Sequence, residues 1–332
     1  MTSLDAPVLR FAGRPRRPIG VFRTSPIVDD DQELYSGFFR AERPAEYYGN
    51  SWSYLTQACR GLGYGRKYFD GDRLFSYGRH GGHYVIVRPV GRDIAPALRD
   101  FAHYLHRCSR LPVYLKHVAL SDAAFLMGNG KFFDMMTYPW CPEAAGDDLT
   151  FPEIVVPIAE IMSGALHTPV YNKFRMSLNR FNNEPGGATE LIVKKCPPWP
   201  DGPWQAMART VVYQWSAQAG KGTEAYANML AAPSRRALRY LVLMHGEPVA
   251  FYVFERIGER AAGCYANLSL HTRRRGLAET ALCRVFEHLF QHEGIDVVNL
   301  GGSEMYSLHK FKKKFGAERP SGTASLVFEP PS

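Results

Sequence analysis

In the second half of this chain, apolar residues recur in two rhythms. Over 204–219, Met207, Ala208, Val211, Val212 and Trp215 fall three and four residues apart, which predicts a helix. Three runs rich in β-branched and aromatic residues follow at 239–244, 248–255 and 261–270. His245-Gly246-Glu247 and Gly258-Glu259-Arg260 separate them, so the pattern predicts a three-stranded meander. The helical rhythm returns over 278–293, where Ala281, Leu282, Val285, Phe286, Leu289 and Phe290 form one stripe and Gly294 supplies the cap. A strand at 295–300, a short helix at 308–315 and a last strand at 323–328 complete the half. Upstream, 173–183 predicts a basic helix ended by Gly186-Gly187, and 189–193 a strand.

The first half mixes both patterns. A helical segment at 52–60 precedes two strands, 66–68 and 72–77, joined across Asp70-Gly71. A strand at 84–88 is stopped by Pro89, and a helix at 95–109 carries Leu98, Phe101, Ala102, Leu105 and Cys108. A strand at 113–119 follows. Residues 139–169 hold five prolines and Gly146-Asp147-Asp148, so they are the expected linker between domains at 1–165 and 166–332.

Composition narrows the picture. With 332 residues, 45% hydrophobic and 22% charged, the chain is long enough for two globular domains. Six scattered cysteines with no CxxC pair argue against a disulfide framework or a cysteine zinc site, and point to a reducing cytoplasm. His288 and His292 stand four apart without a third ligand, so no metal site is expected. The first 20 residues lack the apolar run of a secretory signal, and no run of about 18 apolar residues suggests a membrane span. The net charge of +8 is uneven: residues 1–170 carry +1 and residues 171–332 carry +7. That excess suits a polyanionic partner for the second half, or simply a soluble basic surface. No Gly-x-Gly-x-x-Gly opens a helix after a strand and no P-loop is present, which disfavours a dinucleotide-dependent oxidoreductase or a nucleoside triphosphatase.

The residues with chemistry cluster near the C-terminus. Arg273, Gly276 and Ala278 fit Arg/Gln-x-x-Gly-x-Gly/Ala just before the long helix, where unpaired N–H groups and the helix dipole favour an anion. Any basic turn before an amphipathic helix looks similar. The order of elements over 239–328 resembles the acetyltransferase fold of the GNAT superfamily. Asn299-Leu300-Gly301-Gly302-Ser303-Glu304 and Lys310-Phe311-Lys312-Lys313-Lys314-Phe315-Gly316-Ala317 resemble the closing segments of Fem-like transferases and of the lysyl-phosphatidylglycerol synthase C-terminal domain. Lys173 to Arg180 resembles the basic helix opening the second half of those proteins, and 77–91 resembles part of their first domain. The resemblance implies an α/β chain of two tandem GNAT-like domains, each a mixed, mostly antiparallel sheet flanked by helices, with the first domain on the acceptor side. It also implies transfer of an aminoacyl group from aminoacyl-tRNA, as co-substrate, to an amine or hydroxyl of a small molecule or peptide, with no permanently bound cofactor. The compact link Asn267-Leu268-Ser269-Leu270-His271-Thr272 is nearer an acyl-CoA enzyme, which makes acyl-CoA the alternative donor. A third reading is an RNA-binding or regulatory protein with an idle fold.

Direct attack on an activated carbonyl requires alignment and an oxyanion site. The expected slot lies between 265–269 and 298–301, with Asn267, Gly301 and Gly302 allowing close approach and Asn299 and Ser269 beside the reacting group. Glu304 and His309 are the candidate general bases, against a capping carboxylate and a surface histidine. Arg273, Arg274, Arg275, Gly276, Ala278, Lys310, Lys313 and Lys314, with Lys173 and Arg175, are the expected phosphate contacts; Lys312 belongs to the same run. Such a run is also the ordinary composition of a solvated helix face.

Overall fold

A computed structural model describes residues 22–41, 47–55, 65–80, 82–129, 131–135, 151–184, 191–197, 202–220, 223, 226–227, 230, 236–303, 305–319 and 322–329. Among these residues the strands form two seven-stranded sheets. The predicted Gly186-Gly187 stop, Glu304, the end of the 52–60 helix and the first part of the expected linker lie outside the described residues.

The first sheet runs β1 (Thr24–Pro26), β2 (Arg66–Phe69), β3 (Arg73–His80), β4 (His83–Gly91), β5 (Val113–Ala119), then β14 (Thr323–Phe328) and β6 (Phe132–Asp134). The second runs β13 (Ala317–Arg319), β7 (Glu153–Pro157), β12 (Val297–Asn299), β11 (Ala261–Ser269), β10 (Glu247–Arg256), β9 (Ala237–Met244) and β8 (Leu191–Lys195). Each sheet contains an antiparallel meander whose last strand pairs in parallel with the next strand, β4 with β5 and β11 with β12. A helix makes each crossover: α2 (Ile94–Ser109) in the first sheet, after α1 (Gln32–Ala41). In the second sheet it is α7 (Leu277–Glu293), preceded in the chain by α3 (Leu120–Gly128), α4 (Ile158–Met162), α5 (Asn172–Asn183) and α6 (Pro203–Ala219), and followed by α8 (Tyr306–Lys312).

The sixth position of the pattern is exchanged. β7 follows β6 in the chain but inserts between β12 and β13, and β14 follows β13 but inserts between β5 and β6. The proline-rich 139–169 stretch therefore holds an interior strand of the second sheet, Glu-Ile-Val-Val-Pro, rather than only a linker. A division at 165/166 does not separate the sheets, since 153–157 belongs to the second and 323–328 to the first.

Burial explains the near-continuous apolar runs of β9, β10 and β11. One face of their sheet packs on α5 and α7 through Phe174, Phe181, Leu282, Val285, Phe286 and Leu289. The other packs on α6 through Ala208, Val211 and Val212. Strands covered on both faces lose the polar alternation of a half-exposed sheet. α7 lies between Gly276 (φ +75°) and Gly294 (φ +64°), both in the left-handed region that glycine tolerates.

Buried polar groups join the halves. The N–H groups of Trp52 and Ser53, at the start of a helical turn at 52–55, donate to the Glu255 carboxylate of β10 at 2.7 and 2.8 Å. Burial nevertheless pushes that carboxyl above the usual range, because desolvation outweighs the hydrogen bonds. Within the first half, Arg88, 1% exposed, donates to Asn50 at 2.8 Å and lies 5.2 Å from the centre of the Tyr47 ring.

Because each half lends an interior strand to the other, residues 1–165 and 166–332 expressed separately are expected to lack cooperative unfolding, and co-expression is expected to restore it. Urea titration followed by near-ultraviolet circular dichroism checks this. A sharp transition in either fragment alone would contradict the exchanged arrangement.

Candidate active site

β11 and β12 pair from Ala261↔Val297 to Gly263↔Asn299 and then part. Two local features drive the parting. β11 carries one extra residue, Tyr265, against β10, since Phe254 pairs with Cys264 and Val253 with Ala266. Such a bulge bends its strand. The chain after β12 follows β7 instead: Leu300 N–H donates to Ile154 C=O at 2.8 Å, and Ile154 N–H to Gly301 C=O at 3.3 Å. Gly301 adopts φ +69° there.

Asn299 fixes this departure. Its side-chain Nδ2 donates to Glu153 Oε2 at 2.7 Å, and its Oδ1 accepts the Gly301 N–H at 2.8 Å. The residue is 1% exposed, so both ends of the amide satisfy buried groups that water does not reach. Asn299, expected beside the reacting group, thus shapes the turn. Burial holds the Glu153 carboxyl above the usual carboxylate range, and Asn299, Arg319 and the Tyr48 backbone offset this only in part.

Lys312 lies at the same place. Its Nζ donates to the carbonyls of Gly301 (3.4 Å) and Gly302, and the residue is buried. The amine is thus a buried hydrogen-bond donor held in place by main-chain carbonyls. The side chain facing β12 across the parting comes from the first half. Tyr48 donates its hydroxyl to Cys264 C=O at 2.9 Å and accepts at its own carbonyl from the Tyr265 hydroxyl at 2.7 Å. Its ring lies so close to Gly301 that a Cβ there would stand 2.8 Å from ring carbons.

Beyond Cys264, β11 keeps β10 on one side only. The Leu270 N–H donates to Val249 C=O, so by the alternation of an antiparallel pair the main-chain groups of Ser269 and Asn267 face the parting. Ser269 C=O accepts from His271 Nδ1 at 3.4 Å. Asn267, Ser269, Gly301 and Gly302 are thus brought together along one opening.

The arginine turn divides. Arg274 points inward: it donates to Phe181 C=O at 2.7 Å, lies 4.5 Å from the Phe181 ring centre and pairs with Glu184 at 3.6 Å. It ties α5 to the start of α7. Gly276 is pressed on the same helix, where a Cβ would come within 2.2 Å of Ser177 C=O. Ala278 is buried. Arg273 and Arg275 are exposed; Arg273 bonds Gln214 at 2.8 Å, and the Arg275 N–H bonds Glu184 at 3.1 Å.

The lysine run divides too. Lys310 and Lys313 are exposed, and Lys313 pairs with Glu318 at 2.7 Å. Lys314 pairs with Glu279 at 2.5 Å, which joins the lysine turn to the first turn of α7. Lys173 is exposed on α5, whereas Arg175 is turned onto Leu166 C=O (2.9 Å) and Asn172 (3.2 Å). His309 is buried, stacked on Phe151 at 4.7 Å and bonded through Nε2 to Glu318 at 2.9 Å. Its partners lie on or next to β7 and β13, across β12 from the opening.

Sequence reasoning missed Tyr48, Glu153 and the separate place of Lys312. Lys312 had a signal: it stands four residues after Leu308 and three before buried Phe315, on the inward face. Tyr48 and Glu153 meet the site only through the tertiary fold.

No family model and no curated protein sequence matches the chain. Solved structures do. A conserved protein of unknown function from Bacteroides thetaiotaomicron superposes with a TM-score of 0.68 at 15% identity, covering 92% of this chain and 98% of that one. L-PGS from Bacillus licheniformis gives 0.60 at 17%, covering 91% and 92%. FemX gives 0.57 at 12%, covering 92% and 96%. At these identities the likeness speaks for the fold: the chain is an α/β protein of two tandem GNAT-like domains with a Fem-like arrangement.

Asn299→Ala leaves the Gly301 N–H and the Glu153 carboxylate buried without that partner, so a loss of about 1–3 kcal/mol in unfolding free energy is expected. Denaturant titration checks it. An unchanged midpoint would mean that the strands part without the amide.

Proposed function

We propose that this chain is an acyltransferase that moves an aminoacyl group from aminoacyl-tRNA to an amine or hydroxyl of a small molecule or peptide. The observation that carries the reading is the parted strand pair with the buried Lys312 amine fixed on the carbonyls of Gly301 and Gly302, just past the last paired residue of β12. The ester of the donor enters along the β11 edge, with its carbonyl near Lys312. The acceptor nitrogen or oxygen forms a bond to the carbonyl carbon, the bond to the ribose oxygen breaks, and that oxygen takes the proton the nucleophile loses. A fixed hydrogen-bond donor in a site of low dielectric stabilises the oxyanion without reorganisation. An ester is already activated, so alignment supplies much of the remaining effect.

Two features favour tRNA over acyl-CoA. The turn before α7 is packed against α5 and carries the Glu279 carboxylate in the first helical turn, a poor setting for a diphosphate. The exposed cations Lys173, Arg273, Arg275 and Lys310 lie on α5, the arginine turn and α8, and several separate cations suit a polynucleotide better than a single diphosphate. No helix among the described residues is long and apolar enough to cross a membrane. A cytoplasmic setting, where charged tRNA is present, fits this reading.

Radiolabelled aminoacyl-tRNA and acyl-CoA, each offered with a panel of amines and hydroxyl compounds, are the test. Label is expected to pass from the tRNA in a ribonuclease-sensitive reaction. Consumption of acyl-CoA alone would select the alternative donor, and RNA binding without turnover would select the idle fold. Lys312→Met, which keeps the apolar stem, is expected to lower kcat by about 10²–10³. Full activity in that variant would remove the proposed role of the amine.

A further inference from the structure

We propose that Tyr48 is the floor of the acyl slot and restricts the transferred group to aminoacyl residues with small side chains. This rests on the acyl-transfer reading above. The direction of the slot follows from its ends. The exposed Arg273 and Arg275 come just after the C-terminal end of β11, so the anionic part of a donor lies there. The acyl end then points back towards Gly263 and Asn299, where the two strands close. Tyr48 occupies that closed end.

The ring is held at several points. Its hydroxyl bonds Cys264 C=O, its carbonyl receives the Tyr265 hydroxyl, and one edge rests on Gly301, where even a methyl group would clash. The Tyr265 ring lies 4.6 Å from it and the Tyr54 ring 5.5 Å. Tyr54 is anchored in turn, by a 2.7 Å hydrogen bond between its hydroxyl and His117 Nε2. The next residues of the segment, Trp52 and Ser53, are fixed to the Glu255 carboxylate. Moving the ring to admit a larger group breaks several of these contacts together. A rigid wall of this kind rejects added methylenes, whereas a mobile one does not. The first half thereby supplies a specificity-determining side chain to the opening in the second sheet.

The test is a competition between tRNAs charged with glycine, alanine, serine, leucine and phenylalanine, read as the ratio of kcat/KM for alanyl over leucyl donor. The wild-type protein is expected to favour the small residues by about tenfold or more. Tyr48→Ala and the milder Tyr48→Leu are expected to bring that ratio towards one, while Tyr48→Phe, which keeps the ring, is expected to preserve it. A merely structural tyrosine would lower all donors together and leave the ratio unchanged. An unchanged ratio in either truncated variant with a native near-ultraviolet spectrum, or a wild-type preference for leucyl or phenylalanyl donors, overturns the assignment while the acyl-transfer reading stands. Absence of transfer from every charged tRNA overturns that reading itself, and the role of Tyr48 with it.

Discussion

Asn299 joins the Glu153 carboxylate to the Gly301 N–H, and in doing so turns the chain after β12 towards β7 and away from β11. The opening depends on this choice of partner. If the strand continued alongside β11, the main-chain groups of Asn267 and Ser269 would be taken up by a sheet ladder, and the carbonyls of Gly301 and Gly302 would not be placed to hold Lys312. The bulge at Tyr265 bends β11 as well, so both strands contribute. The first sheet carries the same device in another form: β4 and β5 are parallel up to Val87↔Lys116, after which Arg88 (φ +43°) and His117 (φ +57°) take strained left-handed conformations. There the groups satisfy one another, through Arg88 with Asn50 and His117 with Tyr54.

The strap of residues 47–55 connects these two places. Its tyrosines and backbone reach Cys264, Tyr265 and Glu255 in one half and His117 in the other. Burial of Glu255 would be costly for a lone carboxylate; two main-chain donors at the start of a helical turn offset much of that cost. His117 is held neutral in this setting, its pKa pushed down to about 3 chiefly by burial. Together with the exchanged strands β7 and β14, the strap makes the geometry of the opening a property of the whole chain rather than of its second half.

The secondary structure of the second half was readable because its periodicities are long and its caps are glycines. The stripe at 278–293 and the meander at 239–270 agree with α7 and with β9 to β11 to within two residues. The 139–169 region misled, since Pro152 and Pro157 bracket a strand as readily as they mark a linker. The position of Gly301, Gly302, Asn267 and Ser269 along the opening was legible, because it follows from element order after two predicted strands. The arginines were not separable by sequence: Arg274 turns inward only because Phe181 and Glu184, some 90 residues earlier, end their helix beside it. Likewise Arg175 and Lys314 are cations whose partners, Leu166 and Glu279, are set by helix packing.

The central claim is that the opening beside Lys312 receives the carbonyl of an aminoacyl ester. Its most direct test is a crystal structure with a non-hydrolysable analogue of the aminoacylated tRNA terminus, in which an amide replaces the ester to adenosine. The account predicts the acyl group between β11 and residues 299–302, with its carbonyl oxygen within hydrogen-bonding distance of Lys312 Nζ and the adenosine towards Arg273. Density for the analogue elsewhere, with the opening unchanged, would contradict it.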